Sequence, residues 1–213
     1  MGSGFNQVVI TNSDTPDHSD LYRYVDSEGI LTAIRIATDL PPDAVFNDYH
    51  IISGIDYRYF ARSYLTPGSS GGYTDSDPTS VVANDLDGLW ISEVTSDSVT
   101  SNAAQVLNLF ITGARTVSQY QNSSRKFKGR AAEVTVYGQQ TGLEFGYDAV
   151  VPLAEISKLD TLQSLFDANT TLCVRDALGN RMFGRMNAIP FNDLIVGDIF
   201  SLQFTEEDYT EAV

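Results

Sequence analysis

Few residues of this chain are of the types that carry out chemistry. There are only two histidines, His18 and His50. Asp14, Asp17 and Asp20 surround His18, and carboxylates beside a histidine are potential metal ligands. Neither histidine has a second ligand three to five residues away, as metal-binding pairs on one element do. We therefore expect a solvated loop around His18 and no metal site.

A second acidic stretch, Asn84-Asp-Leu-Asp-Gly88, contains two carboxylates and a glycine, as calcium-binding loops do. It lacks a third carboxylate at the right step and a bidentate glutamate downstream. The sequence favours a turn that precedes a strand around Trp90.

Nucleophilic catalysis has no recognisable machinery in this sequence. The one cysteine, Cys173, stands between Leu172 and Val174 in a predicted strand, which favours a small buried hydrophobe. There is no Gly-x-Ser-x-Gly motif, and no pair of carboxylates stands out for glycoside hydrolysis. The glycine-rich stretch Gly68–Gly72 is not followed by Lys-Ser/Thr or by a helix, so it does not predict a phosphate loop. We expect no enzyme and no cofactor.

The one positive run of the chain is Arg125-Lys-Phe-Lys-Gly-Arg130. Either this run lies on an exposed loop whose charges offset those of an acidic body, or it is a contact loop that docks onto an acidic patch of a neighbouring copy or partner. Complementary charge of this kind sets register and encounter more than affinity. The candidate interface residues are Arg115, Arg125, Lys126, Lys128 and Arg130.

Tyrosines recur around residues 57–73. Tyr57, Tyr59, Tyr64 and Tyr73 are of the type that stacks on sugars, but tyrosines also fill sandwich cores and interfaces. The second interpretation is favoured.

Composition and charge restrict the class of partner. The chain has 213 residues and a formal net charge of −15, concentrated in residues 1–100, which hold fifteen Asp/Glu against four Lys/Arg. Such a surface will not bind nucleic acid by neutralising phosphates. The acidity provides solubility, or it lines a channel through which DNA slides without sticking. No signal-like start and no membrane-length apolar window is present, so we expect a soluble protein made in the cytosol, without membrane insertion.

Short alternating strands separated by turn residues predict a mainly β fold. We expect a small β-sandwich in residues 1–80, ending in the Gly/Ser/Pro-rich stretch 66–80. In Ile55–Tyr64, alternation places Tyr57, Tyr59, Ala61 and Ser63 on one face of a strand, and Asp56, Arg58, Phe60, Arg62 and Tyr64 on the other. Strands are also expected at Asn6–Thr11, Leu21–Val25 and Ile30–Thr38.

Residues 81–213 are expected to form a second β domain, a sandwich or barrel with one packed helix. Pro152 and an apolar stripe predict the helix at 152–168, with Asn169 as its end signal. Residues 101–110 fit a strand or a short helix, 114–130 a polar loop, and 131–137 with 142–147 a hairpin. The stretch 172–209 predicts two hairpins, the first turning at Asp176–Asn180, and a final strand.

Two stretches resemble minor tail proteins of long-tailed bacteriophages that infect actinobacteria. One runs from Gly88 through Gly142, with its Asp-Gly-Leu-Trp-Ile strand, Lys-Gly-Arg and Val-Thr-Val. The other is the C-terminal Leu-Cys-Val-Arg-Asp, Gly-Asn-Arg-Met-Phe-Gly-Arg and Phe-Ser-Leu-Gln-Phe-Thr-Glu-Glu-Asp-Tyr-Thr-Glu-Ala-Val. The first domain, through Asp48 and Gly54–Arg62, is similar to the fibronectin-type-III-like module of these proteins. The second is similar in element order to distal tail proteins, whose ring-forming domain is related to the tail tube.

The resemblance implies a structural protein of the virion tail. It implies a homo-oligomeric ring, sixfold or threefold, that joins the tail tube protein to tail tip or hub proteins, with DNA at most passing through the channel. The alternative from another class is a carbohydrate-binding module for adhesion to the host.

Overall fold

The computed structural model describes residues 4–11, 18–64, 72–95, 99–113, 115–125, 134–188 and 199–209, and for 118–125, 134–142 and 188 it describes the backbone alone. Strands account for 53% of the structure and helical residues for 12%. The predicted mainly β fold of the sandwich type is therefore confirmed.

The described residues contain thirteen strands and one α-helix. In chain order they are β1 (Asn6–Val9), β2 (His18–Val25), β3 (Ile34–Leu40), β4 (Val45–Asp48), β5 (Tyr57–Tyr64), β6 (Tyr73–Asp75), β7 (Leu89–Val94), β8 (Ala103–Ile111), β9 (Thr116–Arg125), β10 (Val134–Val150), α1 (Ser157–Ala168), β11 (Leu172–Asp176), β12 (Arg181–Ala188) and β13 (Ile199–Glu206). Single 3-10 turns lie at Ile30–Thr32 and Leu153–Glu155.

The chain forms two compact units. The first comprises residues 1–108, 172–182 and 209–213, and the second comprises 109–171 and 183–208. Strands β8 and β12 each continue from one unit into the other along the chain. The residues on both sides of the expected domain boundary near residue 80 belong to the first unit. The division into two domains at that point stays a prediction.

The first unit is built around a core that two sheets share. Strands β1 and β4 form an antiparallel pair, and β3, β2, β5 and β6 form a four-stranded sheet in that order. Strand side chains alternate between the two faces of a sheet, so each sheet directs one set of side chains into this core. The core side chains are Val8, Ile10, Leu21, Ile36, Ala37, Leu40, Ala44, Phe46, Ile51, Tyr57, Tyr59, Ala61 and Leu86.

The chain returns to the first unit through β11. This strand pairs antiparallel with β7, and all five of its residues are buried. The predicted turn follows it: the Asp176 carboxylate accepts hydrogen bonds from the backbone N–H groups of Leu178 and Asn180. Gly179 adopts a φ of 84°, which a glycine tolerates without strain.

The second unit is organised around β10. Residues Glu144–Val150 pair with β13 on one edge, and Ala149 and Val150 pair with the end of β8 on the other. Phe145, Tyr147 and Ala149 are buried, and the ring of Phe145 stacks on that of Phe204 with centroids 5.1 Å apart. This aromatic contact anchors the paired part of β10.

The helix has the predicted type and end. It begins at Ser157, after the 3-10 turn that follows Pro152, and it buries Leu162 and Leu165. It ends at Ala168, and the next residue, Asn169, has the left-handed φ of 50° that terminates helices.

Other predicted elements differ from the structure. Residues 30–32 are a 3-10 turn and β4 was not expected, whereas Ala103–Ile111 form a strand, one of the two alternatives expected for 101–110. The polar loop expected at 114–130 is wrong for 116–125, which form β9. The hairpin expected from 131–137 and 142–147 is wrong because one strand, β10, runs through 134–150, with a register irregularity between Tyr137 and Gly142. β9 lacks apolar alternation, and main-chain pairing requires none, so the sequence pattern did not mark it.

Candidate functional site

The second unit contains a two-stranded arm, formed by residues 120–125 of β9 and 134–142 of β10. Their register runs from Tyr120↔Gly142 to Arg125↔Val134. Pairing of β10 with β13 begins only at Glu144, so within the described residues each strand of the arm pairs only with the other. At about 3.3 Å per residue, the part from Tyr120 to Arg125 is roughly 20 Å long.

The predicted interface residues fall on and around this arm. Arg115 is half-buried and immediately precedes β9, and the backbone of Arg125 ends β9. Lys126, Lys128 and Arg130 lie outside the described residues. The structure therefore places two of the five at the two ends of the same strand.

A buried polar cluster lies inside the first unit, centred on Asp48. This carboxylate is fully buried and accepts hydrogen bonds from Arg23 Nη1 at 3.0 and 2.8 Å, from Tyr59 Oη at 3.0 Å and from Asn102 Nδ2 at 2.7 Å. The backbone N–H of His50 donates to it as well, at 3.0 Å. These donors come from β2, β5 and two connecting segments, so one carboxylate ties together parts of the chain that are distant in sequence.

The charges of the cluster set its protonation state. Burial by itself would raise the pKa of Asp48, but the charge and hydrogen bond of Arg23, with contributions from His50 and Asn102, hold that pKa well below its usual range. Burial and the adjacent Asp48 charge raise the pKa of Tyr59 well above its ordinary value. Asp48 is therefore an ionised acceptor and Tyr59 a neutral donor throughout the physiological range.

A second buried guanidinium belongs to Arg175 of β11. Its side chain is fully buried, and Nη1 donates to the carbonyl of Gly4 at 3.0 Å. Within the described part of the chain, Nε and Nη2 have no hydrogen-bond acceptor. Burial lowers the pKa of Arg175, while the nearby Cys173 and Asp48 oppose that shift. Sequence reasoning predicted Cys173 to be buried, which is confirmed, but gave no sign of the guanidinium beside it.

The Asp48 cluster is suited to holding the fold rather than to a reaction. Its carboxylate is 0% exposed and its oxygens are occupied by donors on named side chains. A general acid or base needs a pKa near the working pH and access to substrate, and Asp48 has neither.

The outer face of the four-stranded sheet carries a ladder of aromatic and arginine side chains, which we term the stacked face. The rings of Tyr22 and Phe60 stack in parallel, with centroids 4.9 Å apart. The guanidinium of Arg62 lies over Tyr22 at 5.1 Å and over Tyr73 at 4.1 Å. Tyr64 continues the ladder, 6.3 Å from the Tyr73 ring.

Each arginine of the stacked face has a carboxylate partner. Arg62 Nε and Nη2 donate to the two oxygens of Asp75 at 2.7 and 2.9 Å, a bidentate pair. Arg35 donates to Asp20 at 3.2 Å, and Tyr64 Oη donates to the same oxygen at 3.2 Å. The hydrogen bond to Asp75 keeps the pKa of Arg62 raised and that of Asp75 lowered.

A further pair on this face joins Arg58 Nε to Asp26 Oδ1. That hydrogen bond raises the pKa of Arg58. Arg35, Arg58 and Arg62, the three partly exposed arginines of residues 1–100, are thus each paired with a nearby carboxylate.

The four tyrosines that the sequence singled out separate into two groups. Tyr57 and Tyr59 are buried, at 3% and 0% exposure, which confirms the core interpretation for them. Tyr64 and Tyr73 lie on the stacked face, and Tyr73 is 57% exposed. Alternation predicted that Phe60, Arg62 and Tyr64 share a face, but their partner Tyr22 depends on the register of β2 with β5, which sequence does not supply.

The residues weighed as metal ligands have other partners, and the solvated loop expected around His18 is wrong for His18 and Asp20, which lie in β2. Asp20 accepts from Arg35, and His18 stacks on Tyr64 with centroids 4.9 Å apart and lies 3.9 Å from Asp39. Asp14 and Asp17 lie outside the described residues. Among the residues that the structure describes, no three His, Cys, Asp or Glu side chains form a group that could hold a metal ion.

The outer face of the second unit presents an apolar row. Phe110, Val150 and Ile199 lie directly opposite one another on β8, β10 and β13, so they share a face. Phe110 and Ile199 are 50% and 64% exposed. This row differs from the stacked face because it contains no charged group.

Comparisons with protein-family models, curated proteins and solved structures found no match to this chain. No helix in the described ranges is long and apolar enough to cross a membrane.

Proposed function

We propose that this chain is a structural protein of a bacteriophage tail that assembles with copies of itself at or near the distal end. The observation that supports self-assembly best is the two-stranded arm. A pair of strands without further neighbours is marginal in water, and open strand edges favour pairing with another chain. A neighbouring subunit would satisfy the main-chain groups along both edges of the arm.

The position of the basic residues fits this role. Arg125 ends the β9 strand of the arm, and Lys126, Lys128 and Arg130 follow it in sequence. The rest of the chain is strongly acidic, with a net charge of −15 overall. Attraction between the basic run of one copy and an acidic surface of the next would set the register of the arm.

A closed ring is the form of assembly we propose. One arm per subunit that docks on a different surface of the next subunit makes a head-to-tail contact, and such contacts close into rings when the rotation allows. The tail location, the sixfold or threefold symmetry and the neighbouring tube and tip proteins rest on the resemblance described above. The acidity would keep DNA from sticking in the channel of such a ring.

Light scattering of the purified chain at two salt concentrations tests this function. We expect a ring-sized multiple of 23.3 kDa at low salt and partial dissociation at high salt. Replacing Arg125, Lys126, Lys128 and Arg130 together by Glu should shift the mass toward the monomer. Lys158→Glu, which reverses the charge of a partly buried lysine outside the arm, is the control and should leave the mass unchanged. A monomer at every protein and salt concentration contradicts self-assembly.

A further inference from the structure

We propose that the stacked face of the first unit is a binding site for a neutral saccharide, which contacts the exposed ring of Tyr73 and the polar groups fixed beside it. The site is formed by one sheet of one unit. The inference does not depend on the proposed assembly.

The aromatic part of the site is rigid. Arg62 lies between the rings of Tyr22 and Tyr73, and Phe60 supports Tyr22 from the other side. Tyr64 and His18 stack further along, with centroids 4.9 Å apart. Because neighbours hold these rings in place, a ligand that stacks on Tyr73 loses little side-chain entropy on binding.

Exposure identifies the surface that remains for a ligand. One side of the Tyr73 ring faces Arg62, yet the residue is 57% exposed. This exposure is the largest of any tyrosine whose side chain the structure describes. An exposed aromatic ring offers apolar area together with a polar hydroxyl. The C–H faces of a sugar ring match that combination.

Fixed hydrogen-bonding groups surround this ring. The Asp75 carboxylate is held by Arg62 and is 39% exposed, and the Arg62 side chain is 26% exposed. Asp20 is only 5% exposed, so it does not contact the ligand itself but fixes Arg35 and the hydroxyl of Tyr64. Carboxylates accept from sugar hydroxyls and guanidinium groups donate to them, so both kinds of partner are in place.

The charge of the face indicates a neutral ligand. Three arginines are paired one to one with Asp20, Asp26 and Asp75. A phosphate or an acidic polymer would have to displace these carboxylates from their guanidinium partners, within a chain of net charge −15. A hydroxyl-rich neutral ligand makes hydrogen bonds to the pairs without breaking them.

The same side chains also stabilise the sheet, since cross-strand pairs support neighbouring strands. Binding and stability are separated by the choice of variants. Tyr73→Ala removes the ring, Tyr73→Phe keeps the ring and removes the hydroxyl, and Phe110→Ala removes an aromatic ring of similar exposure from the second unit.

The test is a titration of the full chain by two-dimensional NMR and calorimetry with cellohexaose, chitohexaose and mannohexaose, and with heparin as a polyanion. We expect at least one neutral hexasaccharide to bind and to shift resonances of β2, β5 and β6. Tyr73→Ala should weaken that binding at least tenfold, while Tyr73→Phe and Phe110→Ala change it less than threefold. Thermal melting of each variant verifies folding.

Three results would overturn the inference. They are the absence of binding to all three hexasaccharides at millimolar concentration, equal binding by folded Tyr73→Ala, and binding of heparin in preference to the neutral sugars. None of them affects the self-assembly proposal, whose readout is molecular mass.

Discussion

Arg23 Nη1 donates to both carboxylate oxygens of Asp48, at 3.0 and 2.8 Å, with both side chains withdrawn from solvent. Arg23 lies on β2 and Asp48 ends β4, so the pair links the two sheets of the first unit. Removing one partner of a buried pair leaves the other charge uncompensated, which is far more costly than losing an exposed pair. The stability of the first unit should therefore depend on this contact.

Asp48→Asn should destabilise the chain by about 3–5 kcal/mol, because it removes the charge that compensates Arg23 while it preserves the side-chain volume. Urea denaturation followed by far-ultraviolet circular dichroism measures this change. Asp75→Asn is the control, since the exposed Arg62–Asp75 pair should contribute about 0–1 kcal/mol. Similar losses of stability in the two variants would show that the buried pair stabilises the chain no more than the exposed pair does.

Acid should destabilise the chain through Asp48. The folded pKa of this group lies below its unfolded value, so its stabilisation is complete above the unfolded pKa, near 4, and is lost as the pH falls towards the folded pKa. We expect the Asp48-dependent difference between wild type and Asp48→Asn to be constant from pH 7 to about 5 and to shrink below about pH 4. Denaturation midpoints at a series of pH values measure it, and a difference that grows on acidification would contradict the assignment.

Gly184 of β12 has no room for a side chain. A Cβ at this position would lie 2.4 Å from the carbonyl oxygen of Thr205 on β13. Gly184→Ala must therefore force β12 and β13 apart and should destabilise the second unit by about 1–3 kcal/mol or more. Gly72→Ala, where no atom lies within 4 Å, is the matched control and should change the thermal midpoint little. Equal midpoints for the two variants would mean that the strands are not so closely apposed.

Strands with one buried face were predictable from the sequence. In β5 the alternation of Tyr57, Tyr59 and Ala61 with Arg58, Phe60 and Arg62 predicts both faces of the strand, and the core and the stacked face confirm this prediction. The helix end at Asn169 and the turn at Asp176 were predictable for the same kind of local reason, since each depends on one residue's backbone preference.

Features that depend on distant pairing were not predictable. Nothing near Asp48 in sequence indicates Arg23, Tyr59 and Asn102 as its partners, because these contacts follow from sheet register and chain crossing. The sequence predicted a loop in place of β9 because its residues do not alternate in polarity, although its main chain pairs with β10 on both sides of the register irregularity. Both the Asp48 cluster and the stacked face depend on strand register, which determines which side chains are in contact.

The most direct test of self-assembly removes the arm. Tyr120 and Gly142 are register partners, so an Asn-Gly turn in place of residues 121–141 can join them as a two-residue hairpin without disturbing the pairing of Glu144–Val150 with β13. Sedimentation velocity of wild type and this variant at equal concentration is the measurement. For the wild type we predict an assembly whose mass is a ring-sized multiple of 23.3 kDa. For the variant we predict a folded monomer, lighter than 23.3 kDa by the mass of the deleted residues. The same assembly size for both chains, or a monomer for both, would contradict the role of the arm.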